Sequence, residues 1–305
     1  MSAGPEGPRR VGLDIGGTKV HGVVVDDAGR VLAQARAATG RGGGDGVAAS
    51  AVAVLDELRD RTGERPESIG VGIPGIVDGE GGVRHAVNLG IAERFPLADV
   101  LEARTGTPVL IENDLTAATW GARVLYDVDD LAYLSLGTGL AAGFVLDGVL
   151  RRGDHGAAGE IGHLVTDPGG PRCSCGQRGC LELTGSGAAL AAAWPQADGR
   201  PAAEAVFAAA HDGDPRAVDV RDRFVAAVGE AVRVLGLTLD TTWIVLGGGV
   251  TALGTALGDA LVAHLRHQAE ESPFLASLDL AGRLRLVPPH EPVGAIGAAM
   301  LGVRR

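Results

Sequence analysis

Apolar runs of strand length alternate along the chain with longer stretches of helical spacing, and Gly-rich or polar turns separate them. The apolar runs predict strands at residues 9–15, 19–25, 30–38, 68–73, 107–111, 131–136, 140–146, 242–246 and 283–287. The helical spacing predicts helices at residues 47–61, 97–105, 115–125, 187–193, 202–211, 215–239, 253–268 and 293–301. Strands that alternate with helices indicate an α/β fold.

One pattern, a strand followed by a Gly-Thr turn and a second strand, occurs twice. Residues 13–18 read Leu-Asp-Ile-Gly-Gly-Thr, residues 134–139 read Leu-Ser-Leu-Gly-Thr-Gly, and a third turn at 247–249 is Gly-Gly-Gly. Glycine lets the backbone approach a ligand and direct several N–H groups at it, and phosphate oxygens suit such a turn. Any one of these turns alone is also compatible with a plain hairpin. Together they predict two related halves that bind a phosphate donor, although the usual P-loop and dinucleotide fingerprints are absent from the sequence.

Composition narrows the class of protein. With 305 residues, the chain is long enough for one large or two linked domains. The net charge of −11 argues against nucleic acid as a partner, since phosphate neutralisation needs a basic face. No apolar run approaches the ~18 residues of a membrane span, and the start of the chain lacks a signal core. We therefore expect a cytoplasmic protein with no membrane partner, and a disordered leader at residues 1–8.

All three cysteines of the chain, Cys173, Cys175 and Cys180, fall within eight positions, and His163 lies just upstream. Three thiolates and one imidazole are a common ligand set for structural zinc, and they fill its tetrahedral shell. Buried reduced thiols are one alternative. A disulfide is another, but it would leave one cysteine over and would need an oxidising compartment. The clustering in a polar, Gly-rich segment favours zinc.

Carboxylates stand at the ends of two predicted strands. Asp14 would hold Mg²⁺ beside phosphates, often through water, or it would pair with Lys19. Asn113 and Asp114 end another strand and precede a helix, which suits a helix N-cap. The same position, at the carboxyl edge of an open α/β sheet, also suits a general base that accepts a proton from a substrate hydroxyl.

Two glutamates, Glu160 and Glu182, bracket the cysteine cluster. With Asn113 and His163 they offer the polar ring expected around a sugar. On the residues alone, the chain is predicted to bring a phosphate donor to a polyol acceptor.

At this level of detail the chain resembles the ROK family of bacterial sugar kinases and repressors, in particular its ATP-dependent glucokinases. The matching motifs extend over nearly the whole length, and the His-to-triple-Cys spacing is the most specific of them. They lie at residues 14–19, 72–75, 112–114, 137–139, 158–163, 173–182, 247–249 and 294–298.

The resemblance implies an actin/hexokinase-like (ribonuclease H-like) fold, duplicated into two α/β lobes with a cleft between them. The small lobe would comprise residues 9–113 plus 295–305, and the large lobe residues 114–294 with the zinc-binding segment 159–182. It further implies a homo-oligomer, a dimer or a tetramer.

The resemblance also implies residue roles. Asp114 would be the base that deprotonates the 6-hydroxyl of the sugar, and His163 would serve both zinc and the sugar. The expected sugar-binding residues are Gly75, Asn88, Asn113, Asp114, Glu160, His163 and Glu182. The residues expected to face Mg²⁺ and ATP are Asp14, Gly16, Gly17, Thr18, Lys19, Gly137, Thr138, Gly139, Gly248 and Gly249.

The expected reaction is transfer of the γ-phosphoryl group of ATP to the 6-hydroxyl of glucose. Another hexose acceptor (N-acetylglucosamine, N-acetylmannosamine, fructose or mannose) is an alternative, because residues 91–96 replace the Trp-containing stretch of many family members. Polyphosphate is an alternative donor. A second departure is that alanine stands at positions 141 and 142, where the family usually has more glycine. A sugar-sensing repressor is a further alternative, but only 13 residues precede Asp14. A zinc-stabilised binding module would leave the phosphate turns without a role.

Overall fold

The computed structural model describes residues 9–63, 65–195 and 199–301. It divides into two compact units, one formed by Met1–Val128 with Pro292–Arg305 and the other by Asp129–Glu291. The predicted lobe boundary at 113/114 differs from this division, because the helix after residue 113 packs within the first unit. The predicted leader, residues 1–8, lies outside the described residues. No described helix is both long and apolar enough to cross a membrane.

Strands and helices are numbered separately in chain order. The strands are β1 Arg10–Ile15, β2 Lys19–Val25, β3 Val31–Ala38, β4 Ser68–Ile73, β5 Ile76–Val77, β6 Val83–Arg84, β7 Val109–Asn113, β8 Leu131–Leu136, β9 Leu140–Leu146, β10 Val149–Leu150, β11 Trp243–Gly247 and β12 Leu284–Leu286. The helices are α1 Gly44–Thr62, α2 Leu97–Thr105, α3 Asp114–Tyr126, α4 Glu182–Gly185, α5 Gly187–Ala193, α6 Ala202–His211, α7 Pro215–Leu239, α8 Thr255–Glu270, α9 Pro273–Leu278, α10 Leu280–Arg283 and α11 Val293–Met300.

The first unit is built on a five-stranded sheet in the order β3-β2-β1-β4-β7. Side chains alternate between its faces. Leu13 and Ile15 pack with α1 in one apolar cluster, and Val23 and Val25 pack with α11 in another. Because β1, β4 and β7 run parallel, their carboxyl ends meet at one edge of the sheet. The polar residues at the ends of these strands are therefore brought to that edge.

The second unit repeats this topology with the order β10-β9-β8-β11-β12. In the first unit, β1 pairs antiparallel with β2 and parallel with β4. In the second unit, β8 pairs in the same way, antiparallel with β9 and parallel with β11. Its core joins the sheet to α7 and α8 and contains Leu134, Phe224, Leu246 and Leu257. The duplication predicted from the two Gly-Thr turns is therefore confirmed in the strand order.

Several predicted boundaries shift by a few residues. Strand β7 ends at Asn113 rather than at residue 111, and α3 begins directly at Asp114, so no loop separates strand from helix. Helix α1 begins at Gly44, three residues before the predicted start, inside the stretch predicted as a Gly-rich loop. The short elements β5, β6, β10, α4, α9 and α10 were not predicted, because strands of two residues and helices of four to six residues carry too little periodicity.

Within the first unit, the backbone of helix α11 comes into direct contact with the backbones of β1, β4 and α3. A Cβ added at Gly12 or Gly70 would overlap carbonyl oxygens of α11, and one added at Gly121 would do the same. A Cβ at Gly297 would overlap the carbonyl oxygen of Ala117 in α3. Glycines on β1, β4, α3 and α11 thus allow α11 to lie directly on the sheet and on α3.

We predict that Gly297→Ala destabilises the protein by about 1–3 kcal/mol, since overpacking a close contact costs this much. Gly258→Ala is the matched control, because a Cβ there would meet Leu286 at an ordinary 3.7 Å. That change should stabilise α8 by about 0.5–1 kcal/mol through helix propensity. Urea unfolding of both variants measures the difference, and equal effects would contradict the proposed packing.

Candidate functional site

The turn between β1 and β2 carries the first predicted phosphate-binding residues. Its backbone is closed by a hydrogen bond from Gly16 N–H to the Lys19 carbonyl (2.9 Å). The Thr39 hydroxyl donates to the Gly16 carbonyl (2.6 Å) and fixes the turn from the side. Gly17, Thr18 and Lys19 are exposed. The turn is therefore ordered and open to a ligand.

Asn113 and Asp114 form the junction between β7 and α3. The Asn113 side-chain oxygen accepts from the N–H groups of Leu115 (3.0 Å) and Thr116 (3.3 Å), so Asn113 is the N-cap of α3. Its amide nitrogen donates to the Gly75 carbonyl (3.2 Å). The Asp114 carboxylate accepts from the Leu115 N–H (2.9 Å). Both interpretations of this pair, cap and site residue, are thus compatible with the structure.

Asp14 and Asp114 lie close enough at the sheet edge for the charge of Asp114 to act on Asp14. Burial, then the negative charge of Asp114, raise the pKa of Asp14 to about 6, and Lys19 opposes that shift. Burial also raises the pKa of Asp114, against hydrogen bonds from backbone N–H groups. A partly desolvated carboxylate is a better base than a free one, and two of them favour a cation nearby.

The loop residues Gly75 and Asn88 lie in the same unit as Asp114. Gly75 has φ +110°, which favours glycine. A Cβ at Gly17 would contact Asn88 at 3.5 Å. In the first unit, the structure therefore gathers the β1–β2 turn, Gly75, Asn88, Asn113 and Asp114 around one edge of the sheet.

In the second unit, the structure brings the four predicted metal ligands together. One ligand atom from each of His163, Cys173, Cys175 and Cys180 lies within 4.8 Å of the others. The Cys173 sulfur is 3.7 Å from His163 Nδ1, and the Cys175 and Cys180 sulfurs are 3.6 Å apart. The spacing in the sequence therefore predicted correctly that these four side chains come together. The three thiols are free rather than disulfide-bonded.

The chemistry of these donors fits a soft cation. Hydrogen bonds from Gln177 lower the pKa of the Cys175 thiol to about 7. Burial and the neighbouring sulfurs raise the pKa of Cys180 to about 12. Three thiols this close cannot all ionise without a positive charge between them. A bound metal supplies that charge. Gln177 was not among the predicted site residues, and its amide also donates to the His163 carbonyl (3.1 Å).

Glu182 links the cluster to the second phosphate turn. One of its carboxylate oxygens lies 3.9 Å from His163 Nδ1, and the other accepts from the Leu140 N–H (3.3 Å). A Cβ at Gly139 would lie 2.8 Å from Glu182. Glu160 reaches His163 Nε2 at 3.9 Å. The predicted sugar-binding residues Glu160, His163 and Glu182 therefore form one group beside the turn that contains Gly137 and Thr138.

The third glycine turn follows β11, which is the parallel neighbour of β8. Gly248 has φ +91°, and a Cβ there would contact the Leu136 carbonyl at 2.6 Å. Gly249 has open space where a Cβ would point. The turns at 137–139 and 247–249 therefore stand side by side at the carboxyl edge of the second sheet.

Sequence reasoning assigned no role to Gly294, although its motif had been noted. A Cβ there would lie 2.9 Å from the Asp14 carboxylate, so the first turn of α11 rests against that side chain. A glycine at the start of a helix was the signal that could have pointed to such a close approach.

A duplicated sheet with phosphate-type turns and carboxylates at its edge defines a phosphotransferase of the hexokinase-like class. The chain belongs to the ROK family, whose sequence profile matches residues 10–304, and its relatives show that it is of the sugar-kinase type within that family. This confirms the resemblance and the fold class inferred from the motifs.

Relatives of similar length carry sugar-kinase names. The N-acetylmannosamine kinase of Citrobacter koseri is 34% identical over 293 residues, which cover 95% of this chain and 97% of the relative. The ROK hexokinase of Thermus thermophilus is 34% identical with a TM-score of 0.79, covering 96% and 97%. The Streptomyces griseus ROK glucokinase, solved with glucose and AMPPNP, is 31% identical with a TM-score of 0.78, covering 96% and 98%. The family is thus shown, whereas the expected preference for glucose is not specifically supported.

We predict that Asp14→Asn stabilises the protein without ligands at pH 7.5, by up to about 3 kcal/mol, at 1.36 kcal/mol per unit of pKa shift. The native pKa of about 6 lies above the unfolded value of 3.8, so the ionised carboxylate destabilises the native state above pH 6. The gain should shrink as the pH falls from 7 to 4. Urea unfolding across this range measures it, with Asp60→Asn on the exposed surface of α1 as control. A constant gain would contradict the raised pKa.

Proposed function

We propose that the protein transfers the γ-phosphoryl group of ATP to the 6-hydroxyl of a hexose, with N-acetylmannosamine as the first candidate acceptor. The observation that carries this proposal is the position of Asp114, which is partly desolvated, oriented by the cap of α3 and adjacent to Asp14 at the carboxyl edge of the sheet.

Asp114 acts as the general base. It takes the proton of the acceptor hydroxyl as that oxygen forms a bond to the γ-phosphorus, while the bond from this phosphorus to the ADP oxygen breaks. The raised pKa of Asp114 favours this proton transfer. Asn113 keeps the carboxylate in place because it is tied both to α3 and to Gly75.

Asp14 and the glycine turns serve the donor. Asp14 would hold Mg²⁺ of the nucleotide, often through water, and the ion would neutralise charge on the phosphates. The open turns at 16–18 and 137–139 direct backbone N–H groups toward phosphate oxygens. Gly249 has open space where a Cβ would point and leaves room for the nucleotide to approach the backbone, while Gly248 lets the turn pack against the Leu136 backbone.

N-acetylmannosamine comes first among acceptors because the relative from Citrobacter koseri, 97% of whose length is matched by this chain, is an N-acetylmannosamine kinase. Glucose is the second candidate, supported by the solved glucokinase of Streptomyces griseus with its bound glucose. Glu160, His163, Glu182 and Asn88 would bind the sugar hydroxyls in either case.

The Cys3His cluster holds structural zinc in this proposal. Four protein donors complete a tetrahedral shell and leave no position for a substrate. The metal orients His163 through one ring nitrogen and leaves the other for the sugar. Glu182 contacts both His163 and the Leu140 N–H, so a fixed His163 would also help to fix the proposed phosphate turn at 137–139.

We predict that Asp114→Asn lowers kcat by about 10²–10⁴-fold, the usual contribution of a general base, while the protein stays folded. A coupled ADP-release assay with N-acetylmannosamine, glucose, mannose and N-acetylglucosamine, each with ATP or polyphosphate, measures turnover and ranks the acceptors. Asp127→Asn, in the αL cap after α3, is the control. Full turnover of Asp114→Asn would exclude Asp114 as the base.

We predict that the purified wild-type protein contains one zinc ion per chain and that Cys175→Ser loses it. Loss of the metal should lower the melting temperature and raise the KM for the sugar, because His163 and Glu182 lose their orientation. Ser174→Ala, at the neighbouring position, is the control that keeps the thiols. Elemental analysis and thermal unfolding measure the effect. A wild-type protein without zinc would contradict this assignment.

A further inference from the structure

A short ribbon at residues 76–95 connects β4 to α2 in the first unit. Strand β5 pairs with β6 through Ile76 and Val77. Phe95 continues the pairing on the other side, with two backbone hydrogen bonds to Val83 of 2.8 and 2.9 Å. Between them, residues 85–92 fold into a second hairpin closed by a 3-10 turn at Val87–Leu89. The ribbon is thus hydrogen-bonded along its length.

The inner side of the ribbon is anchored in the core. Ala86, Leu89 and Ile91 are 2–5% exposed and belong to the apolar cluster of the first sheet. The Phe95 ring lies against Gly44 so closely that a Cβ on Gly44 would overlap it. Apolar contacts therefore hold the hairpin from below and leave its outer side to solvent.

An ion pair closes the base of the ribbon. The Asp78 carboxylate accepts from Arg94 Nε (2.6 Å) and from the N–H groups of Glu80 (3.0 Å) and Gly82 (2.8 Å). These bonds lower the pKa of Asp78 to about 2. Arg94 also reaches the Glu80 carboxylate (3.0 Å). Arg94 belongs to the segment 91–96, so this segment is tied to the start of the ribbon by a charged contact.

Two contacts connect the ribbon to the proposed site. A Cβ at Gly75, whose carbonyl accepts from Asn113, would meet the Arg84 carbonyl at 2.7 Å. At the tip, Asn88 lies against Gly17 of the first phosphate turn. The ribbon therefore touches both the Gly75 loop, which is bonded to Asn113, and the turn proposed to bind phosphate.

Val87 stands at the tip of this ribbon, directly before Asn88. It is 80% exposed, more than any other exposed large hydrophobic residue in the described part of the chain. A single exposed apolar side chain is ordinary on a protein surface. Val87 differs because it lies on an ordered 3-10 turn, directly beside the proposed sugar-binding residue Asn88.

We propose that Val87 determines acceptor specificity by contacting the acetyl methyl group of an N-acetylated hexose, while the Asp78–Arg94 ion pair positions the ribbon that carries it. An apolar side chain gains by covering a methyl group and gains nothing from a free hydroxyl. The inference rests on the proposed sugar-kinase function and extends it to a residue that reads the N-acetyl substituent.

The test compares N-acetylmannosamine with mannose, which carries a hydroxyl in place of the acetamido group. Val87→Ser should lower kcat/KM for N-acetylmannosamine about tenfold, within the range for one lost apolar contact, and leave the value for mannose within about twofold. Val149→Ser, at a 51% exposed valine of β10, should leave both values unchanged. The kinetics are measured with saturating ATP.

A Val87→Ser enzyme whose ratio of the two kcat/KM values equals that of the wild type would overturn the inference and leave the kinase function standing. A wild-type enzyme that transfers phosphate to other sugars but not to N-acetylmannosamine would also overturn it. A wild-type enzyme with no sugar-dependent ADP release would refute the proposed function itself.

Arg94→Ala separates the positioning role of the ion pair from a general loss of stability. It should raise the KM for N-acetylmannosamine and leave the KM for ATP and the melting temperature nearly unchanged, with partial rescue by Arg94→Lys. Equal increases in both KM values would contradict a role confined to the acceptor.

Discussion

Two carboxylates held near each other at the carboxyl edge of one sheet are the constraint on which the rest of this structure depends. Asp14 near the end of β1 and Asp114 after β7 are both partly desolvated, and burial raises the pKa of each. The negative charge of Asp114 raises the pKa of Asp14 further. The proposed phosphoryl transfer would use this pair, since the reaction needs both a site for a cation and a base. A fold selected for stability alone would not place them together.

The glycine-lined packing of α11 keeps this arrangement in place. Gly12, Gly121 and Gly297 allow the helix to contact β1 and α3 at backbone distance, and Gly294 brings its first turn to the Asp14 carboxylate. Helix α3, which begins at Asp114, and strand β1, which contains Asp14, are therefore both packed against α11. In the second unit, the Cys3His cluster has a comparable role, since it gathers Glu160, His163 and Glu182 beside the turn at Gly139.

Much of this could be predicted from sequence because the signals were local. The apolar periodicity placed the main strands and helices, the repeated Gly-Thr turn revealed the duplication, and the spacing of the cysteines indicated the four side chains that come together as candidate metal ligands. Contacts between distant residues could not be predicted in this way. Nothing in the sequence indicates that Arg94 bonds to Asp78 or that Gly294 lies on Asp14, because both depend on how the chain closes in space. In the proposed function the acceptor sugar would be set by such contacts, and the motifs therefore favoured glucose without determining it.

The most direct test of the account is ³¹P NMR of a reaction that contains the protein, Mg²⁺, ATP and N-acetylmannosamine. The account predicts that the γ-phosphate signal of ATP is replaced by ADP and, in equal amount, by a phosphate monoester coupled to the protons of carbon 6 of the sugar. Release of inorganic phosphate without a sugar ester, or an ester at another hydroxyl, would contradict it.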